Sequence, residues 1–151
     1  LYVACLLHDL GLTKAHDAAD PIARCFAVEG GRAARELMCR HGASEERALT
    51  VAEAITLHLN VTVPARMGPE AQLLSKGVSL DTIGRRLHRM PRGSLDQVDA
   101  RWPREGFTAH LVAVTRRQAE LRPESRAAFL HGLGFSDLLR ANPLDQDATL
   151  A

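Results

Sequence analysis

Apolar residues recur along most of this chain at the three- and four-residue spacing of one face of a helix. No segment alternates apolar and polar residues as a half-buried strand does. Aromatic residues make up only 4% of the chain, whereas Ala, Leu, Arg and Glu, which favour helices, are frequent. The sequence therefore predicts an all-α fold.

Glycine, proline and capping residues divide the chain into predicted helices. The first helix is expected to run to about Leu10, with Gly11 as a left-handed stop, and a polar loop containing Asp20-Pro21 follows. Ser44 is a predicted N-cap. The other predicted helices cover 28–40 (ended by Gly42), 45–59, 70–76, 80–89 (capped by Ser79), 107–121 and 124–133, with loops at 67–69 and 91–94.

Length and charge narrow the class of protein. A chain of 151 residues predicts a single domain, over 1–140, followed by a flexible polar tail at 141–151. The net charge of +1 gives no overall field that would attract nucleic acid or an anionic membrane. No apolar run approaches the roughly 20 residues that a membrane-spanning helix needs. We therefore expect no nucleic-acid or membrane partner, and a homo-oligomer remains open.

The cysteines bear on the compartment. They are odd in number and lack metal-binding spacing, which is typical of reduced thiols in a cytoplasmic protein. They are Cys5, Cys25 and Cys39.

The stretch LLHDLG at 6–11 places His8 and Asp9 at the end of an apolar helix. Neighbours on a helix diverge by about 100°, so the two side chains can border one groove. A cation there would explain the pair, since an imidazole nitrogen and a carboxylate oxygen suit Zn, Fe or Mn. The alternative is a helix-end carboxylate with local hydrogen bonds beside a core histidine.

Two further polar residues interrupt apolar helical patterns. His58 lies within AITLHL, where a lone histidine is more often a satisfied core group than a ligand. Asp81 lies within KGVSLDTIG, where it also fits an ordinary first-turn carboxylate after Ser79. Neither residue alone indicates a site.

Taken in order, the motifs resemble the HD-domain superfamily of metal-dependent phosphohydrolases, and most closely its cyanamide hydratase-like members. The resemblance covers about the first 85 residues. It rests on LLHDLGLT at 6–13, CFAVEGGRAARELMCRHG at 25–42 and AEAITLHLNVTVPARMGPEAQLLSKGVSLDTIG at 52–84.

The resemblance implies a helical bundle around a divalent transition metal (Zn, Fe or Mn). His8, Asp9 and Asp81 match the family's metal ligands. The family's first histidine ligand has no counterpart before His8, so it is expected upstream of Leu1, together with one or more N-terminal helices of the domain.

The remaining candidate residues surround this ligand set. His58 matches a position where some members place an additional histidine, and we expect Asp9 and His58 to be catalytic. Glu29 stands where larger HD sites often have a histidine; it is equally well explained as an acidic residue at a helix N-terminus. Glu29, Lys14 and Arg66 are candidate substrate-binding residues, although solvated surface roles are the default for the two cations.

The resemblance implies a metal-dependent hydrolase or hydratase that uses an activated water on a small molecule. A phosphate ester and a nitrile-type carbon both remain open as the electrophile. The alternative is a catalytically silent HD-fold module that binds a ligand or partner with a degenerate metal site.

Overall fold

The computed structural model describes residues 1–16 and 25–146, and within these ranges the chain is helical with no strand. This confirms the predicted all-α fold. The predicted turn at Asp20-Pro21 lies outside the described residues. The helices are α1 (Tyr2–Leu7), α2 (Phe26–Arg40), α3 (Glu45–Leu57), α4 (Gly68–Ile83), α5 (Arg92–Arg101), α6 (Phe107–Leu121), α7 (Arg126–Gly132), α8 (Phe135–Arg140) and α9 (Pro143–Gln146), with 3-10 turns at Leu10–Leu12, Ala65–Met67 and Leu87–Arg89.

Helices α2 and α3 form a closely packed pair that α1 and α4 cover. Small residues on α2 allow this approach: a Cβ added at Gly31 would lie 2.5 Å from the Thr56 hydroxyl oxygen and 2.7 Å from the Ala52 carbonyl oxygen. The core between these helices is rich in alanine. It consists of Ala4, Ala34, Val51, Ala54, Ile55, Ala71 and Leu74.

The second half of the chain forms its own helical layer. Helix α6 packs against α7 and α8, and α8 also contacts α4. Phe26 of α2 and Ala127 of α7 belong to a second buried cluster, with Cys25 and Ala27. The region after 90 is therefore joined to the first half of the chain at the start of α2 and along α4.

Several predicted boundaries are confirmed because local signals determine them. Ser44 caps α3, and its hydroxyl accepts a hydrogen bond from the backbone of Arg47. Gly42 adopts a left-handed φ of 82° just after α2. Helix α6 begins at Phe107 and ends at Leu121 as predicted.

The prediction of two short helices between 70 and 89 is wrong, because α4 runs unbroken from Gly68 to Ile83. Gly77 lies inside it, and Ser79 is not a cap: its hydroxyl donates to the Lys76 carbonyl oxygen at 3.0 Å. A single interior glycine costs only about 1 kcal/mol relative to alanine, which the burial of Ala71 and Leu74 offsets. Asp81 consequently lies in the last turn of a helix, not in the first.

Other predicted boundaries also need correction, among them the loop at 67–69, since Gly68 and Pro69 begin α4. Helix α1 ends at Leu7, and Gly11 is not left-handed; it lies within a 3-10 turn. Residues 92–94, predicted as part of a connection, form the first turn of α5 after Pro91.

In the segment predicted as a tail, the described part contains α9 and Asn142, which is fully buried. Residues 147–151 lie outside the described residues. The cysteines are free, with Cys25 buried and Cys5 and Cys39 exposed. None of the described helices combines the length and apolar character that crossing a bilayer requires.

Candidate active site

His8 and Asp9 lie in the tight turn that follows α1. His8 keeps helical backbone angles as the C-cap, and its Nδ1–H donates to the Cys5 carbonyl oxygen at 2.8 Å. This bond directs the other ring nitrogen, Nε2, towards Asp9, whose Oδ2 is 3.3 Å away. The turn can approach α2 because Gly11 has no side chain: a Cβ there would lie 2.0 Å from the Phe26 carbonyl oxygen.

His58 reaches the same place from the end of α3, where it is the C-cap. Its side chain is buried, and its Nδ1–H donates to the Ile55 carbonyl oxygen at 2.5 Å. Its Nε2 therefore faces the Asp9 carboxylate, with Oδ1 3.8 Å away. The His8 and His58 rings meet edge to face at 5.3 Å, and the Phe26 ring lies 5.9 Å from His58.

Charge distinguishes the two histidines. Burial acts to lower the pKa of His8, but the hydrogen bond and negative charge of Asp9 outweigh it, so the pKa lies above its ordinary value. Burial acts to raise the pKa of Asp9, but the hydrogen bond from His8 and the electrostatic attraction of His8 and His58 together outweigh it, so the pKa is lowered. Burial lowers the pKa of His58, which is therefore neutral at neutral pH and offers an Nε2 lone pair.

These groups line a cavity of about 270 Å³ between the two halves of the chain. Asp81 reaches it from the last turn of α4, and Phe107 and Leu111 reach it from α6. The predicted site residues His8, Asp9, His58 and Asp81 are thus brought to one cavity.

Asp81 is held by an ion pair. Arg104 donates through Nη1 to Asp81 Oδ1 and through Nη2 to the Asp81 carbonyl oxygen at 3.0 Å. The same guanidinium donates through Nε to Asp145 Oδ1 at 2.7 Å, and its carbon lies 4.6 Å from the centroid of the Phe107 ring. Burial acts to lower the pKa of Arg104, but the two carboxylates raise it. Asn142 adds a hydrogen bond from Nδ2 to the Asp81 carbonyl oxygen at 2.7 Å.

The donor chemistry suits a divalent transition metal. The carbonyls of Cys5 and Ile55 hold the two histidine rings so that each Nε2 faces the Asp9 carboxylate. Zn, Fe and Mn bind such a set of nitrogen and oxygen donors. The positions of these donors relative to one another, however, do not form a complete metal site. In the described part of the chain, no group of three or more His, Cys, Asp or Glu side chains is arranged to hold an ion.

The three predicted substrate-binding residues lie outside this cavity. Glu29 is on α2 and pairs with Arg32, while His16 Nδ1 lies 3.7 Å from its Oε1. The Arg32 hydrogen bond lowers the pKa of Glu29. Lys14 and Arg66 are exposed. A substrate role for these residues stays a prediction.

Sequence reasoning missed four residues that contribute to the site. Cys5 orients His8 through its carbonyl, Phe26 covers His58, Arg104 pairs with Asp81, and Phe107 closes the cavity. The one available signal for Cys5 was its position three residues before His8, which is hydrogen-bonding distance at a helix end. Nothing local indicates a contact between Arg104 and a residue 23 positions earlier.

Comparison with known proteins finds two relatives, and the chain matches both to the same extent. The chain is 26% identical over 143 residues to the cyanamide hydratases DDI2 and DDI3 of Saccharomyces cerevisiae. The aligned region is 94% of this chain and 62% of each yeast protein, so the chain spans less than two thirds of their length. No family model matches the chain. The similarity supports a distant relation to cyanamide hydratase-like proteins.

Proposed function

We propose that this chain carries the active site of an HD-type, metal-dependent hydratase that adds water to a small nitrile-type molecule. The observation that carries the proposal is the convergence of His8 Nε2 and His58 Nε2 on the Asp9 carboxylate, in a cavity that Asp81 also lines. The names of the two yeast relatives support a nitrile-type substrate such as cyanamide over a phosphate ester.

His8, Asp9 and Asp81 are the residues proposed to hold the metal. When bound, a divalent ion lowers the pKa of a coordinated water towards neutrality and polarises the substrate. The Asp81 carboxylate can bind the metal only if it gives up its ion pair with Arg104 or uses its other oxygen while the pair remains. This requirement makes Arg104 a residue on which metal affinity depends.

The protein groups supply orientation and proton transfer. The Oδ1 atom of Asp9 faces His58 Nε2. Through this oxygen, Asp9 orients the attacking water and accepts its proton. His58 is neutral, and its ring is fixed by Ile55, so its Nε2 relays that proton to the substrate nitrogen. With cyanamide, the hydroxyl adds to the nitrile carbon and the proton to the nitrile nitrogen. Tautomerisation of this adduct gives urea.

The cavity itself suits a small substrate. Its volume of about 270 Å³ lies just below the usual range of ligand pockets, and its walls include Phe26, Leu74, Phe107 and Leu111. Apolar walls exclude bulk water and strengthen the electrostatic interactions between the substrate and the polar groups. We therefore place the reacting carbon next to Asp9 and the substrate nitrogen next to His58.

A second candidate function is a metal-free binding module. The observation that favours it is the Arg104 guanidinium, which already supplies a positive charge to Asp81. In this alternative the guanidinium takes the place that a metal has in the first proposal, and the cavity binds a small molecule without turnover.

Activity on cyanamide and small nitriles separates these proposals. We expect metal-supplemented wild-type protein to form urea from cyanamide, and Asp9→Asn to lose about 100-fold or more of that rate. Asp137→Asn is the matched control, because Asp137 is an exposed carboxylate on α8 that pairs with Arg140. Turnover by Asp9→Asn at the rate of wild type would refute the assigned role. Binding without turnover would favour the metal-free module.

A further inference from the structure

A second and larger cavity, of about 790 Å³, adjoins the candidate active site. The two cavities share five lining residues: His58, Leu59, Val78, Thr82 and Phe135. The larger one extends along α4 and the segment 59–63, and residues of α7 and α8 close its other side. Its volume falls within the range of small-molecule pockets in proteins.

The lining of this cavity is apolar with a basic edge. Ile83, Leu130 and Leu133 contribute to its walls, and the cationic residues Lys76, Arg85 and Arg86 contribute to its lining around the end of α4. No described residue in the lining carries a carboxylate. The lining therefore combines apolar surface with charge of a single sign.

The three cations have no ion-pair partner within the described ranges 1–16 and 25–146. Some other arginines of the described ranges are paired with carboxylates, as Arg35 is with Glu45 and Arg104 with Asp81. The positive charge at this cavity is thus left available to a ligand, and a guanidinium can bind a carboxylate through two parallel hydrogen bonds.

The backbone at Arg86 is a separate observation. Its φ of 65° makes it the one described residue other than glycine in the left-handed region. A side chain disfavours this conformation, and such residues cluster in tight turns and at ligand-binding sites. Gly84 two residues earlier is also left-handed, so the chain turns sharply after α4 and brings Arg85 and Arg86 to the cavity.

We propose that this cavity binds an organic acid with an aliphatic chain. The chain lies along the apolar walls, and the carboxylate is bound by Arg85 and Arg86 with Lys76 nearby. The proposal goes beyond the proposed function, because this binding requires neither a metal at His8 and Asp9 nor turnover. A ligand seated here reaches His58, which both cavities share.

Calorimetric titration of the whole chain with octanoate, octan-1-ol and octyltrimethylammonium tests the proposal. The three probes share a chain length and differ in charge. We expect octanoate to bind at least about tenfold more tightly than the cationic probe, with octanol between them. The double variant Arg85→Gln, Arg86→Asn should weaken octanoate binding at least about tenfold and leave octanol within about twofold. Asparagine tolerates a left-handed backbone, so this variant removes charge without adding strain.

Arg89→Gln is the matched control, since Arg89 is an exposed arginine of the neighbouring 3-10 turn that does not line the cavity. It should bind octanoate as wild type does. Equal affinity for octanoate and the cation, or no effect of the double variant when its helical spectrum is native, would overturn the proposal.

Discussion

Gly11 is the position where the structure predicts the largest effect of a single methyl group. A Cβ at this residue would lie 2.0 Å from the Phe26 carbonyl oxygen, and 2.9 Å from both the Phe26 carbonyl carbon and the Gly30 nitrogen. These are backbone atoms of the first turns of α2, so no side-chain rotation relieves the contact. Restoring a separation of 3.0 Å from the oxygen requires a movement of about 1 Å.

Gly11→Ala should therefore destabilise the protein by about 3 kcal/mol, the upper end of the cost of overpacking a core. For a domain of this size such a change lowers the melting temperature by roughly 6–12 °C. The 3-10 turn would also move away from α2, which displaces Asp9 relative to His58. We expect the loss of stability to be accompanied by loss of any activity that depends on this pair.

Gly77→Ala is the matched control. Gly77 lies inside α4, and a Cβ there meets nothing within 4 Å. Because alanine favours the helix over glycine, this variant should gain about 0.5–1 kcal/mol. Urea denaturation followed by circular dichroism gives both values. A Gly11→Ala unfolding free energy within about 0.5 kcal/mol of wild type would refute the close approach of the turn to α2.

Three further predictions concern caps, burial and pH. Ser44→Ala removes the hydroxyl that caps α3 and should cost about 1 kcal/mol in urea denaturation; an unchanged midpoint would exclude the cap. Asn142→Ala removes one of the two donors to the Asp81 carbonyl, which keeps its bond from Arg104, so we expect a loss of about 0.5–1.5 kcal/mol, and a neutral result would contradict the contact. Because Arg32 lowers the pKa of Glu29 below its unfolded value of 4.5, the stability from this pair is present above pH 4.5 and is lost as the pH falls through the lower, folded pKa. Thermal melts of wild type and Glu29→Gln should therefore differ at pH 6 and converge in acid, whereas a constant difference would contradict the pairing.

The sequence was sufficient to predict the boundaries of helices that local signals define. Helices α2, α3 and α6 were predicted within about two residues because a glycine stop, a serine cap or a sustained apolar period defines them. For helix α4 the sequence predicts two helices, the second capped by Ser79, because burial against α3 outweighs the weak local preferences of Gly77 and Ser79 and is not visible in the sequence. Local propensity loses to tertiary packing at such positions.

In the candidate site, too, local sequence signals identify some residues, whereas contacts between distant parts of the chain do not show in the sequence. His8, Asp9 and His58 were identified from polar residues in apolar helices together with the family resemblance, and the structure brings them together. The partner of Asp81 was not predictable, because Arg104 lies 23 residues later, in the segment between α5 and α6. Such long-range pairs depend on how helices pack, which a periodicity does not specify.

Metal content measured by inductively coupled plasma mass spectrometry tests the central claim most directly. Wild type, Asp9→Asn and the control Asp137→Asn are each equilibrated with Zn, Fe or Mn and freed of excess ion. The proposed function predicts about one ion per chain in wild type and in the control, and loss of the ion in Asp9→Asn. No bound ion in wild type, or equal occupancy in Asp9→Asn, would contradict it.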